Sequence, residues 1–225
     1  MIGTFANVGT IIVGTCIGVV LKKGIKEEYQ SALFTAMGFA ASALGIAAIA
    51  KHMDNSAYPV LFIISLALGT FVGTVLNIDG KFNALMDRFG QSHLSKGLST
   101  AILLFCIGTL SILGPIESAL YNNHTYLFTN ATLDLVTSMV LAATYGIGIM
   151  ASAAVLFVWQ GGLYLLATYL APYLTTELMT EISIIGGILI LASGLSILGI
   201  RDTKTLNMLP ALLVPVIWFV IVAFV

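Results

Sequence analysis

Four polar side chains stand out by position: Asp134, Glu117, Gln160 and Asn7 each fall inside, or at the end of, a long apolar run. An ionisable group deep in hydrocarbon costs about 2.5–3.5 kcal/mol on insertion scales, so it persists only where a partner or a function retains it. Glu117 falls late in one run and Asp134 early in the next. Consecutive helices pack side by side as a rule, so the two carboxylates are expected to share a cavity that binds a coupling Na⁺ or H⁺. Gln160 is neutral, lies near the middle of a later run, and is followed by Gly161 and Gly162, which would let a helix unwind there. An amide both donates and accepts, and broken helices present backbone groups to a solute at the bilayer midplane. Gln160 and Asn7 are therefore the expected solute contacts. Each residue also has a plainer reading. Glu117 would sit at the lipid–water boundary, Asp134 would complement a helix N-terminus, and Gln160 would make an interhelical hydrogen bond worth under ~1 kcal/mol.

Other chemistry is missing. His52, His93 and His124 all fall in predicted loops, so no serine–histidine couple is expected within the membrane. One embedded aspartate cannot form an aspartyl dyad. The chain has no H-E-x-x-H, no phosphate-binding G-x-x-x-x-G-K, and no embedded Lys or Arg to hold a phosphate at depth. An enzyme is not expected, nor any cofactor beyond a coupling Na⁺. Cys16 and Cys106 lie in the middle of apolar runs and read as small buried hydrophobes, not as a disulfide or a metal site. A net charge of −1 with no basic stripe excludes a nucleic-acid partner.

The elements that carry these groups must be membrane helices. Hydrophobic residues make up 59% of the 225 and charged residues only 8%, against about 25% charged in a soluble domain; mean hydropathy is +1.04. The apolar runs at 2–21, 31–50, 58–77, 98–118, 181–200 and 207–225 are each long enough to cross roughly 30 Å of hydrocarbon. Residues 131–173 form a double-length run, which a break near Gly146, Gly148 and Ser152 divides into 131–149 and 152–172. With eight spans and the N-terminus outside, Lys22, Lys23, Lys26, Lys81, Arg88, Lys96, Arg201 and Lys204 all fall inside, and Lys51 alone falls outside. That asymmetry is the positive-inside pattern. It predicts an all-α, polytopic bundle of about eight spans in the cytoplasmic membrane, with both termini outside. Treating 131–173 as one span would put Arg201 and Lys204 on the outer side. The linker 78–97 has Phe82, Leu85, Met86 and Phe89 at helical spacing, which predicts a short amphipathic helix in the inner headgroup layer.

Small residues recur at helical spacing. Gly14/Gly18 and Gly69/Gly73 each form a G-x-x-x-G, a pattern that lets helix backbones approach closely in lipid. AMGFAASALGIAAIA (36–50) and IGGILILASGLSILG (185–199) both carry glycines seven apart, Gly38/Gly45 and Gly187/Gly194. Pro59 opens the third span as Pro210 opens the eighth, and Asn7-Val-Gly matches Gln160-Gly-Gly. Spans one to three thus resemble six to eight, and five crossings between equivalents would insert the second unit upside down. The expected division is 1–97, a first repeat including the 78–97 linker; 98–150, two connecting spans; and 151–225, a second, inverted repeat. A competing match links LSILG at 110–114 to LSILG at 195–199.

The segments FCIGTLSILGPIESAL (105–120), TLDLVTSMVLAATYGIGIMASAAVLFVWQGGLYLLA (132–167), GGILILASGLSILG (186–199) and NMLPALL (207–213), with the opening MIGTFANVGTIIVG, are similar to the prokaryotic family called domain of unknown function 554, the YdfK/YqgA-like membrane proteins. The resemblance covers essentially the whole chain and implies a membrane protein. In the family pattern a glycine follows the aspartate and a lysine stands four residues before it; here those positions hold Leu135 and Asn130. Taken with the repeat and the embedded polar groups, the expected function is a small secondary transporter, a homodimer in the lipid bilayer, moving a small solute with Na⁺ or H⁺. A channel or pore of the same fold, and a non-transporting scaffold or sensor acting through 78–97, are the alternatives.

Overall fold

The computed structural model describes residues 1–21, 26–89, 93–107, 109–171 and 175–223, with side chains for all of these except 30, 37, 83, 85–89, 93–96, 99, 103, 107, 109 and 223. Its elements are helices: α1 (Ile2–Val20), α2 (Glu27–Met53), α3 (Leu61–Leu76), α4 (Ile78–Phe89), α5 (His93–Ile107), α6 (Thr109–Tyr121), α7 (Thr125–Tyr145), α8 (Ala151–Leu170), α9 (Thr176–Ile197), α10 (Thr205–Met208) and α11 (Leu213–Ala223). A helix satisfies its backbone polar groups internally, the condition for crossing hydrocarbon. Among the described residues, seven helical segments are long and apolar enough to cross a membrane, and Leu61–Leu76, where the third span is expected, is apolar but shorter. The long run divides where its glycines predict. α7 ends at Tyr145, Gly146 takes φ +86°, and a 3₁₀ turn over Ile147–Met150 leads into α8. A residue with a Cβ is strained at that φ.

The chain forms two compact units, residues 1–34 with 83–171, and 35–82 with 172–225. Neither follows the sequential division into 1–97, 98–150 and 151–225, because packing groups helices that are distant in the chain. In the first unit α1 lies along α7. Gly3 meets Leu127, Gly14 meets Leu135 and Ser138, and Gly18 meets Met139 and Ala142, so the two helices run parallel. α8 lies antiparallel to α1, with Phe5 and Phe157 ring centroids 5.5 Å apart and Met1 against Gly161. A core of Ile11, Phe105, Cys106, Ala142, Ile149 and Leu156 fills the spaces between.

The second unit is centred on α9, whose residues from Leu178 to Gly194 are buried on nearly every side. Thr175 caps it, its side chain accepting the Leu178 N–H at 3.2 Å. Its apolar character continues all round the helix, as a central helix requires. α2 packs against it antiparallel, Gly38 facing Gly194 and Gly45 facing Gly187 and Leu191. On α3, Gly69 meets Ala211 and Gly73 meets Asn207, antiparallel to the final span. That span is interrupted: α10, a 3₁₀ turn over Leu209–Leu212 that holds Pro210, then α11.

Side chains are distributed for lipid. Large apolar residues such as Phe71 and Val75 on α3, and Val158, Leu165 and Tyr169 on α8, point outward, while Thr4, Asn7, Ser65, Ser111, Gln160 and Glu181 are fully buried. Three expectations are corrected here. Cys16 is exposed, because α1 buries the stripe Gly3, Thr4, Asn7, Ile11, Gly14, Thr15 and Gly18 and Cys16 lies off it; Cys106 is buried as expected. The fifth span begins at Thr125, six residues before the expected 131, since its polar first turns are helical. His52, expected in a loop, lies in the last turn of α2, whereas His124 is in the α6–α7 turn as expected, its Nδ1 2.8 Å from Ser118 Oγ. The linker forms helix α4; the side chains of Leu85, Met86 and Phe89, like Lys22, Lys23 and the side chain of Lys96, lie outside what the structure describes.

Candidate functional site

The polar groups of the first unit converge from four helices. The α1–α7 register sets Asn7 level with Asn130 and Asp134, and all three are buried. Asn130 Nδ2 donates to Asp134 Oδ2 at 2.9 Å, one turn along the same helix. The Asn7 amide faces the Asp134 carboxylate from α1, its nitrogen closing no hydrogen bond of standard geometry. Because α7 starts at Thr125, Asp134 stands about 13 Å from its N-terminus. It is a mid-helix carboxylate and does not cap a helix dipole.

α6 brings the next group. Gly114 packs on Leu127, which sets Ser111 level with Asn130. Pro115 lies within α6 and has no N–H, so the carbonyl of Ser111, four residues earlier, lacks its helical donor. From α8, Gln160 Nε2 donates to Ser111 Oγ at 3.0 Å, while its Oε1 has no partner. Thr4 Oγ1, one turn before Asn7 on α1, has none either. A buried polar atom without a partner costs about 1–3 kcal/mol. Three of them, Thr4 Oγ1, Asn7 Nδ2 and Gln160 Oε1, lie within one small group of helices. Asn7 presents a donor towards the Asp134 carboxylate, Gln160 an acceptor, and the Thr4 hydroxyl either role.

Of the four residues singled out by sequence, the structure groups Asp134 with Asn7, places Gln160 beside Ser111 in the same unit, and sets Glu117 apart. Glu117 is buried at the α6–α7 turn, where Asn123 Nδ2 donates to its Oε2 at 3.4 Å and Tyr121 and Tyr126 are near enough to feel its charge. From Tyr126 to Asp134 is about 12 Å along α7. The two carboxylates occupy separate places, not one cavity. Gln160 also departs from expectation in its backbone: α8 is continuous through Gly161 and Gly162. Gly161 admits the Met1 side chain, and Gly162 opens onto an outward apolar groove with Ala154, Val155, Val158, Trp159 and Leu163.

Sequence reasoning missed two groups. Ser111 carries no charge and lies in an ordinary apolar run, so only its partner reveals it. Glu181 is fully buried in the second turn of α9. Glu177 and Glu181 stand four apart at the start of a span, which resembles a solvated helix end; the apolar Leu178 and Met179 between them were the available signal. Among the described residues no three of His, Cys, Asp and Glu are grouped to hold a metal ion.

The family model described as "Protein of unknown function (DUF554)" matches residues 2–220. The chain is 58% identical over 225 residues to "Uncharacterized membrane protein YdfK" of Bacillus subtilis (strain 168), covering 100% of this chain and 98% of that one. It is 27% identical over 224 residues to "Uncharacterized protein YqgA" of Escherichia coli (strain K12), covering 95% of this chain and 94% of the relative. No solved structure matches it.

Proposed function

The chain belongs to the DUF554 family and is a multi-pass membrane protein, and from its buried groups we propose that it is a secondary transporter moving a small polar solute with Na⁺ or H⁺. One observation carries the reading: a mid-helix Asp134 faced by Asn7, with the unpartnered polar atoms of Thr4 and Gln160 buried on neighbouring segments that cross the membrane. Asp134 takes the coupling cation, and Asn7 and Gln160 contact the solute. Glu117 lies nearer the membrane surface and serves as a cation relay on the way in. The protein works as a homodimer in the cytoplasmic membrane with both termini outside.

The packing supports an inverted repeat as the frame. Sequence matching equates Gly38 with Gly187 and Gly45 with Gly194, and in the fold Gly38 faces Gly194 while Gly45 faces Gly187. A twofold axis in the membrane plane would produce this crossing. In such a frame each repeat places its first span in one unit and its next two in the other, as α1 with α2–α3 and α8 with α9–α11 do. Transporters built this way bind solute near the midplane.

A thermal-unfolding screen of purified protein against amino acids, carboxylates and Na⁺ identifies the ligand, since binding to the native state raises Tm. Proteoliposomes then test the assignment. Asp134→Asn, with wild-type helical circular dichroism, is expected to lose ion-dependent uptake; full uptake by the folded variant overturns it. Unitary currents in planar bilayers, without saturation, would instead identify a channel.

A further inference from the structure

A third buried carboxylate stands in the other unit. Glu181 is fully buried in α9, inside a segment long and apolar enough to cross the membrane. Its Oε1 accepts two hydrogen bonds, from Ser56 Oγ at 2.6 Å and from the Tyr58 N–H at 3.1 Å. Its Oε2 is buried and has no partner. Both donors come from the short connection between α2 and α3, which is anchored by the Tyr58 ring. That ring packs edge-on against Trp218 and Phe219 of α11, with centroids 5.6 Å away in each case.

We propose that Glu181 is a proton-binding site, carrying H⁺ on Oε2 while the Ser56–Tyr58 connection covers it and releasing it when that connection lifts. The proposal rests on the transport reading for its role in a cycle, and on geometry for its chemistry. An ionised carboxylate with one bare oxygen in a low-dielectric interior carries a desolvation cost of several kcal/mol. Two donors on Oε1 offset part of it and none reach Oε2. A proton on Oε2 removes the charge and leaves Oε1 as the neutral acyl acceptor. Sodium is the poorer fit, since a hard cation needs several convergent oxygens, and among the described residues Glu181 belongs to no group of three His, Cys, Asp or Glu side chains. The titratable groups on the elements around it are Glu177 on α9, Lys51 and His52 in the last turn of α2, and Asp54 and Tyr58 on the connection; α3, α10 and α11 carry none. Cleared of the Ser56 and Tyr58 donors, the carboxyl would meet water and could discharge.

Infrared difference spectroscopy of the purified protein at neutral pH tests this without any solute. The wild type is expected to show a protonated-carboxyl C=O band that shifts in D₂O and is lost in Glu181→Gln. Ser56→Ala, which removes one donor from the acyl oxygen, should move the same band to higher frequency. Asp134→Asn should leave it in place. Identical spectra for wild type and Glu181→Gln overturn the proposal, as does a band that Ser56→Ala leaves unmoved should the glutamine variant not fold. Loss of the band when Na⁺ replaces K⁺ would make it a sodium site and overturn the proton assignment. Failure of uptake in proteoliposomes would sink the transport reading and leave this band untouched.

Discussion

Gln160 was legible in the sequence because largely apolar residues flank it on both sides, and Asp134 because some ten mostly apolar residues follow it in a long run; neither has much water to face. What they touch was not legible, because Ser111 and Asn7 come from helices far away in the chain. The bond between Gln160 and Ser111 and the bare Oε1 of Gln160 are separable. Gln160→Leu removes both, and Ser111→Ala removes only the bond. An interhelical hydrogen bond in a membrane protein is worth about 0.6 kcal/mol on average, so both variants should unfold within about 1 kcal/mol of wild type in detergent. The stabilisation conferred by the ligand found in the thermal screen should vanish in Gln160→Leu and survive in Ser111→Ala. Equal loss in both would mean that the pair acts only in packing. Glu181 shows where this kind of reading fails. A carboxylate close to the end of a span looks solvated, and only the fold reveals that the Ser56–Tyr58 connection closes over it.

At the scale of elements, the glycine motifs announced close packing but not the partner. Gly14 and Gly18 could have served any neighbour; the structure gives them to α7, about 120 residues away. A Cβ at Gly14 would fall on the Leu135 carbonyl and Ser138 Oγ, both held by helix α7, whereas one at Gly9 would meet nothing within 4 Å. Gly14→Leu should therefore force α1 from α7 at a cost of about 1–3 kcal/mol or more, and Gly9→Leu should stay within about 0.5 kcal/mol. Thermal unfolding in one detergent compares them directly, and equal destabilisation would contradict the α1–α7 contact. The same separation operates on the outward groove of α8, where Gly162 meets nothing. Gly161 and Gly162 were expected to unwind this helix; intact hydrogen bonding along α8 shows that two glycines are insufficient when neither a proline nor a positive φ accompanies them. At Gly146 the φ of +86° is present, and there the helix does end.

For the whole molecule, helix direction is the most constraining quantity, since each crossing reverses the chain. Counting eight crossings, spans one and five must be parallel, one and six antiparallel, two and seven antiparallel, and three and eight antiparallel. The packed pairs α1–α7, α1–α8, α2–α9 and α3 with the final span have those directions. Merging α7 and α8 into a single span would require α1 and α8 to point the same way, which Phe5 against Phe157 and Met1 against Gly161 forbid. A polytopic bundle was readable from length, and the count of eight is argued from charge, because the basic residues gather on alternate connections and a membrane potential and anionic lipid select that arrangement. Which side is which is then a question of labelling. Single cysteines in place of Asp54, Asn123, Lys26 and Asp202, in a background of Cys16→Ser and Cys106→Ala, place the four accessible connections. An impermeant maleimide on intact cells should modify the Asp54 and Asn123 positions and reach Lys26 and Asp202 only after permeabilisation. Lys26 and Asp202 precede and follow an even number of intervening crossings, so finding them on opposite faces would break the eight-span count and the inverted repeat with it. Finding all four reversed would keep the count and turn the protein over, putting the Ser56–Glu181 cap on the cytoplasmic side.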